Sequence, residues 1–417
     1  MNILVAKIVV FPIFFLILYP KQQIMVKLPE DFIRETRLVM GEERLNRFLR
    51  AFDDEAPVSI RVNPRKVSSA SFSGERVAWC EEGYYLEGRP QFTFDPLFHA
   101  GCYYVQEAAS MFVTHVLRQF VKAPVAMLDL CAAPGGKSTA AISVLPAGST
   151  LVSNEPIANR AQILLENITK WGYPECSVTN AYPRDFRKAK ARFDVILCDV
   201  PCSGEGMFRK DPQTISEWSL QNVEKCWRLQ RDIVADAWEC LNPGGLLIYS
   251  TCTYNIKENE ENIRWILDTY DAELLEVPTQ PEWHITGSLL EDFPMPVYRF
   301  IPGVTRGEGL FMAVVRKKGM SSHDKRKQLP LKPLTIDFPK GEPISLSYPE
   351  ALSYLRGEAL VLPPDTPRGI VTATYNGFAL GPAKNIGNRA NNLYPKPWRI
   401  KTTHLPGEAP RVLLNGK

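Results

Sequence analysis

Nine cysteines are scattered along this 417-residue chain, and two of them sit where chemistry is done rather than where cores are filled. Cys202 follows the apolar run Phe193-Asp-Val-Ile-Leu-Cys-Asp199, inside Val200-Pro-Cys-Ser-Gly-Glu-Gly206, and Cys252 follows the run Gly245 to Ser250, inside Thr251-Cys-Thr253. Each lies just past an apolar run, among small or polar residues, whereas Cys198, Cys226 and Cys240 read as small core filler. If the two runs are neighbouring strands of a parallel sheet, their carboxyl ends open on one cleft, where Asp199, Cys202 and Cys252 converge. Two thiols and a carboxyl group suit one demanding reaction. Carbon-5 of cytosine is a poor nucleophile, but thiolate addition at carbon-6 with protonation of N3 makes an enamine able to attack an activated methyl group. Asp199 could supply the proton if a partly dry cleft raises its pKa, and a second thiol could assist the elimination that frees the enzyme.

The stretch Met127-Leu-Asp-Leu-Cys-Ala-Ala-Pro-Gly-Gly-Lys-Ser-Thr139 runs from an apolar strand through two glycines towards a helix, so backbone there can approach a ligand closely. A phosphate loop would need a glycine at position 131, which is Cys131, and Pro134 removes an N–H that a phosphate nest would use. The better reading is a nucleoside site, in which an acid after the next strand holds the ribose hydroxyls. Glu155 ends Thr150-Leu-Val-Ser-Asn-Glu155 and stands 20 residues after Gly135, as that geometry expects.

The elements that must position these residues are legible as a pattern. Ala126–Cys131, Thr150–Asn154, Phe193–Cys198 and Leu246–Ser250 are short apolar runs separated by helix-length segments such as Asn159–Trp171 and Leu220–Leu241. That alternation predicts a parallel sheet covered on both faces. Ala272–Val277 and Leu310–Arg316 follow too closely for another crossover helix and predict an antiparallel edge. Upstream, Phe32–Phe52 reads as a helix, Pro57–Asn63 as a strand, and Tyr104–Phe120 as a helix by its apolar spacing. Downstream, the short runs Ala359–Leu362, Gly369–Tyr375 and Gly377–Leu380 suggest a small β-rich unit.

The net charge of +3 is unevenly spread: residues 322–417 carry +7 and the remainder −4. The basic end is a candidate footprint for an anionic partner. An odd number of cysteines without a Cys-x-x-Cys pair excludes a disulfide scaffold and a zinc module and points to a reducing compartment, the cytoplasm. No metal is expected. The apolar stretch Ile3–Tyr19 is short for a membrane span, so residues 1–24 read as a leader upstream of a start at Met25, and no membrane association is expected.

Leu130-Cys-Ala-Ala-Pro-Gly-Gly-Lys137, Asp199-Val-Pro-Cys-Ser-Gly-Glu-Gly206 and Tyr249-Ser-Thr-Cys-Thr-Tyr254, three long motifs in order, resemble those of the NOL1/NOP2/Sun family of RNA cytosine-carbon-5 methyltransferases. Ser59-Ile-Arg-Val-Asn-Pro64, Gly307-Glu-Gly309 and Gly387-Asn-Arg-Ala-Asn-Asn-Leu-Tyr-Pro395 extend the resemblance from about Met25 to the end, and the tail is most similar to the bacterial RsmF type, which modifies small-subunit ribosomal RNA. The resemblance implies an α/β fold with a Rossmann-like core that binds S-adenosylmethionine. It implies an N-terminal RNA-binding α/β domain over 25–95, the methyltransferase domain over 96–318, a linker over 319–340 and a PUA-like RNA-binding domain over 341–417.

Residue by residue, the resemblance implies Cys252 as nucleophile, Cys202 as the thiol assisting product release, and Asp199 at both cofactor and target base. Cys131, Ala132, Ala133, Pro134, Gly135, Gly136 and Lys137 would line the methionine end of the cofactor, and Glu155 would take the ribose. Tyr182 stands where an Asp usually contacts the adenine, with Asp185 three residues late, and Pro302-Gly303 replaces a Pro-His pair. Arg209 and Lys210 could meet phosphates beside a flipped cytosine, while Arg61 and Arg65, with Lys384, Arg389, Tyr394, Lys396, Trp398 and Arg399, combine cations and π-faces as single-stranded RNA sites do. Asn255 and Glu258 have capping-box spacing and read as structural. The competing readings are a transfer RNA cytosine-C5 methyltransferase, a catalytically idle RNA-binding ribosome-assembly protein, and a nucleotide hydrolase. Two retained cysteines argue against the idle protein, and Cys131 against the hydrolase.

Overall fold

The computed structural model describes residues 27–68, 72, 74–320, 331–402 and 404–413. The apolar leader with Met25 and the run from Ser321 to Lys327 lie outside the described residues. Helix α1 (Glu30–Arg50) buries Phe32, Met40, Leu45 and Phe48. It is followed by a three-stranded antiparallel sheet, ordered β2-β1-β3, of β1 (Val58–Val62), β2 (Gly83–Leu86) and β3 (Tyr103–Val105), with the short α2 (Pro96–His99) before β3. Tyr104 therefore begins no helix. Tyr103-Tyr104-Val105 pairs with β1, Glu107 caps the next turn through the Ala109 and Ser110 N–H groups, and α3 (Phe112–Phe120) starts only at Phe112. β-Propensity and a free sheet edge outweighed the helical spacing.

The central layer adds β4 (Ala126–Asp129), α4 (Gly136–Val144), β5 (Thr150–Asn154), α5 (Ala158–Trp171), β6 (Cys176–Thr179), α6 (Pro183–Lys188) and β7 (Phe193–Asp199). It continues with α7 (Gln213–Glu217), α8 (Leu220–Cys240), β8 (Leu241–Thr251), α9 (Glu260–Thr269), β9 (Ala272–Leu274), β10 (Tyr298–Phe300) and β11 (Leu310–Lys317). The strand order is β10-β11-β8-β7-β4-β5-β6, parallel from β8 to β6, with the expected antiparallel edge at β11. The apolar runs are continuous because both faces are covered. Along β7, Val195 and Leu197 join Met127, Ile248 and Met312 on one side, while Ile196 and Cys198 join Leu128, Leu247 and Val315 on the other.

The edge strand β6 is covered from outside. The Leu334 N–H donates to the Val178 carbonyl at 2.7 Å, and Leu334 and Ile336 pack against Ala132, Leu164 and Val178. This part of the expected linker thus lies on the sheet, where it blunts an open edge. Beyond it come β12 (Glu342–Ser345), α10 (Tyr348–Arg356), β13 (Gly369–Tyr375), β14 (Phe378–Asn385) and β15 (Ala390–Asn392), a four-stranded sheet in that order with one helix. Its core is shared with the first domain: Ile60, Tyr84, Phe94 and Cys102 form one apolar cluster with Leu352, Leu355, Val371 and Trp398. The Tyr348 hydroxyl donates to the Phe94 carbonyl across this boundary. Among the described residues no helix is long and apolar enough to cross a membrane.

Candidate active site

Register decides which residues meet. β7 and β8 pair in parallel with Asp199 opposite Ser250, so the loops leaving both strands emerge side by side. Cys202 and Cys252 end up with their sulfurs 3.3 Å apart. Gly206 makes this approach possible: its N–H donates to the Cys252 carbonyl at 2.7 Å, and a Cβ there would lie 2.6 Å from that oxygen. The hydrogen bond to Cys252 and burial hold the Cys202 thiol well above its ordinary pKa, and either sulfur can serve as the donor in that contact.

Asp199 faces the same cleft. One oxygen accepts from Lys137 Nζ at 2.8 Å and the other from the Ser250 hydroxyl at 2.7 Å. Burial works against the Lys137 ammonium, but the Asp199 carboxylate outweighs it and the net shift is upward, with Cys252 adding in the same direction. The structure thus gives Asp199 two donors, one of them cationic, in the cleft that the sequence suggested would be partly dry. It also ties the ammonium of Lys137, expected among the cofactor contacts, to that carboxylate.

The glycine turn stands where expected, between β4 and α4. Gly135 holds φ at 113°, a left-handed value that suits glycine, immediately before α4. Backbone carbonyls around it are taken by side chains: Arg160 donates to Ala133 O and Asn167 to Pro134 O. Next to it, Glu155 is 1% exposed. Its Oε1 accepts from the Ile157 N–H, while Oε2 has no hydrogen-bond partner, Arg160 approaching only to 3.6 Å. A sealed carboxylate oxygen without a donor, beside a glycine turn at the carboxyl edge of a parallel sheet, fits the hydroxyls of a nucleoside. The stretch expected to meet an adenine offers no free carboxylate. Tyr182 is 53% exposed, and Asp185 is spent on the Tyr182 N–H at the start of α6. No group of His, Cys, Asp and Glu among the described residues could hold a metal ion.

Several expected RNA contacts are buried in the protein instead. Arg61 is fully buried, donating to Gln106 and Thr139 and lying 4.4 Å over the Trp171 ring, so it braces α4 behind the glycine turn. Arg209 forms a buried ion pair with Glu308 at 2.6 Å. Arg65 stays exposed but grips Glu175 through two bonds and stacks on Tyr173, the half-buried Arg399 donates to the Tyr394 carbonyl, and Tyr394 and Trp398 fill the C-terminal core. Lys384, Arg389 and Lys396 remain exposed, and Lys210 half-buried. A basic or aromatic residue read from sequence carries no sign of which side of the wall it faces.

The sequence reading gave no role to Asp129 or Glu205 behind the site and read Glu258 only as a structural cap. Asp129 lies at the end of β4, fully buried, with Oδ2 accepting from Ser138 and Oδ1 unpartnered; burial pushes its carboxyl up to about 7. Glu205 and Glu258 are also buried behind the cysteine loops. An acid inside an apolar strand, as in Met127-Leu-Asp-Leu130, was the available signal for the first.

Comparison with known proteins agrees with this layout. Residues 121–316 match the family model of 16S rRNA methyltransferase RsmB/F, residues 28–108 that of the N-terminal domain of 16S rRNA methyltransferase RsmF, and residues 342–400 that of the methyltransferase RsmF PUA domain. The chain is 33% identical over 312 residues to ribosomal RNA small subunit methyltransferase F of Serratia proteamaculans, covering 70% of this chain and 64% of that one. It is 34% identical over 308 residues to the protein of the same name from Pectobacterium atrosepticum, covering 70% and 63%. The chain thus spans just under two thirds of the length of these relatives. Among solved structures, a methyltransferase homologue from Pyrococcus horikoshii is similar at 28% identity and a TM-score of 0.61, over 70% of this chain and 96% of that one. NSun6 from Pyrococcus horikoshii, solved with SFG, shares the fold at 20% identity and a TM-score of 0.60, over 71% and 100%. With all three of its folded regions matched in order, the chain belongs to the RsmB/F methyltransferase family, in the branch that carries the RsmF N-terminal and PUA domains.

Proposed function

We propose that this protein transfers the methyl group of S-adenosylmethionine to carbon-5 of a cytosine in RNA, with small-subunit ribosomal RNA as the substrate. The observation that carries the reading is the 3.3 Å approach of Cys202 and Cys252 beside the Lys137–Asp199 pair. S-Adenosylmethionine, when bound, supplies the electrophilic methyl group. Cys131 to Lys137 hold its methionine end and Glu155 its ribose, a role that the unpartnered Oε2 supports.

Cys252 adds to carbon-6 of the base, forming a carbon–sulfur bond while N3 gains a proton. The Lys137–Asp199 pair supplies that proton: it leaves the Lys137 ammonium and crosses the Asp199 carboxylate, which meets the N3 edge. Carbon-5 then takes the methyl group, its proton passes to solvent, N3 gives its proton back to the Lys137–Asp199 pair, and the carbon-6–sulfur bond breaks with its electron pair leaving on sulfur. Cys202 acts at this last step, its S–H donating to the departing Cys252 sulfur and stabilising the thiolate. The N-terminal domain, Lys210 and the exposed Lys384, Arg389 and Lys396 contribute the RNA contacts. Ribosomal RNA as substrate places the work in the cytoplasm.

The test is methyl incorporation from labelled S-adenosylmethionine into unmodified small-subunit ribosomal RNA and, separately, transfer RNA, with nuclease digestion to identify the base. Label in 5-methylcytosine from the ribosomal RNA is the expected result. Label confined to transfer RNA would remove the substrate assignment, and label at another base would remove the mechanism.

A further inference from the structure

Behind the two cysteines lies an exchange of carboxylates between the loops that carry them. Glu205 belongs to the Cys202 loop, yet its Oε2 accepts the N–H groups of Tyr254 and Asn255, at 2.6 and 3.0 Å, from the Cys252 loop. Glu258 belongs to the Cys252 side, yet its Oε2 accepts the N–H of Ser203, the residue after Cys202, at 3.0 Å. Each carboxylate thus closes the other loop. Asn255 joins them, its Nδ2 lying 2.9 Å from Glu205 Oε1 and 2.8 Å from Glu258 Oε1. The hydroxyls of Ser203 and Thr253, the residues directly after the two cysteines, meet at 2.9 Å.

We propose that Glu205, Glu258 and Asn255 form a reciprocal clamp that positions Cys202 against Cys252, and that the clamp is needed for release of the methylated base rather than for attack on it. The inference rests on the reading of the two cysteines given above. None of the three touches substrate; they are positioning residues. Glu258 is fully buried and every contact of its carboxylate is with a donor: the Ser203 N–H, Asn255 Nδ2 and, at 2.6 Å, Gln230 Nε2. Burial, with the Glu205 charge adding, pushes its carboxyl up to about 7, so the donors are what keep two carboxylates in one dry space. A carboxamide at position 258 would turn an N–H towards one of these donors and release the Ser203 amide. Cys252 can still add to a base without that restraint. Cys202 cannot keep its S–H on the departing sulfur.

The experiment compares the full-length protein with the variants Glu258→Gln, Asn255→Ala and Cys202→Ala, on RNA with S-adenosylmethionine. Turnover, cofactor affinity and a protein–RNA adduct that survives denaturation are measured in parallel. For Glu258→Gln the expected result is a fall in turnover of about 100-fold, the cost of a displacement of roughly 1 Å, with cofactor affinity held within about threefold. The adduct should accumulate towards the level of Cys202→Ala. If Glu258→Gln does not fold, Asn255→Ala, a change at a half-buried side chain, decides by the same pattern. Adduct in the Cys202→Ala control with none in the clamp variants overturns the clamp and leaves the cysteine roles standing. No adduct in the control overturns those roles, and the clamp with them.

Discussion

Replacing Lys137 with methionine keeps an unbranched chain of similar length and removes only the ammonium. With the ammonium goes a charge-assisted bond of 2.8 Å between side chains that are 14% and 31% exposed, so neither charge is fully hydrated. Hydrogen bonds to charged groups contribute about 1.5–3 kcal/mol. At 1.36 kcal/mol per tenfold, the methyl-transfer rate constant should fall by about 10- to 150-fold if the pair acts on the transition state. The assay is single-turnover transfer of label from saturating S-adenosylmethionine to RNA, with cofactor affinity measured separately by calorimetry. The fall in rate should dominate, with affinity changing by less than about fivefold, because the ammonium is committed to Asp199. A normal rate constant at saturation with strongly weakened cofactor binding would refute the reasoning, since Lys137 would then act only by holding the methionine end.

Arg61→Leu should weaken S-adenosylmethionine binding, by about tenfold if one bond to α4 matters, and leave RNA affinity unchanged, as calorimetry and filter binding would separate; the reverse pattern would restore Arg61 to the RNA surface. Arg299 and Glu260 form an ion pair whose side chains are 1% and 0% exposed, and Arg299 also donates to the Tyr254 carbonyl beyond Cys252. Arg299→Met should therefore cost about 3–5 kcal/mol in urea denaturation, and Arg299→Met with Glu260→Leu should recover most of it. Asp129 titrates near 7 when folded against 3.8 ordinarily, so between those values the folded chain holds a proton that the unfolded chain has lost. Its contribution to stability is fully present below about pH 4 and is lost as pH rises through 7, so Asp129→Asn should flatten the decline in denaturation midpoint between pH 5 and pH 8.

How much of the molecule is legible in its sequence differs from residue to residue. The strands were legible because continuous apolar runs of five to seven residues are what a sheet covered on both faces requires, and Phe193–Asp199 is such a run. The convergence of Asp199, Cys202 and Cys252 followed from strand adjacency alone, which is a topological inference and survives errors in detail. Tyr104 misled because an amphipathic helical period and a tyrosine-rich edge strand look alike over three residues. Cys176–Thr179 was missed as a strand because an edge protected by the segment at Leu334 does not need an apolar sequence. Arg61, Arg209 and Trp398 were misassigned for one shared reason: their partners, Thr139, Glu308 and the N-terminal core, are distant in the chain. The same distance hid the pairing of Glu258 with Ser203, which spacing alone had reduced to a helix cap.

The apolar cluster joining the first domain to the last bears on the order in which the molecule is made. Ile60, Tyr84 and Phe94 leave the ribosome long before Leu352, Val371 and Trp398, and among the described residues their cluster is completed by those of the last domain. The middle sheet holds its own two apolar layers and can close while the C-terminal strands are still unsynthesised. The first domain to emerge is therefore among the last to be finished, and during that interval its apolar face is open to chaperones and to other nascent chains. Shortening the chain at its far end should show itself at its beginning, as proteolysis around β1, rather than where the cut was made.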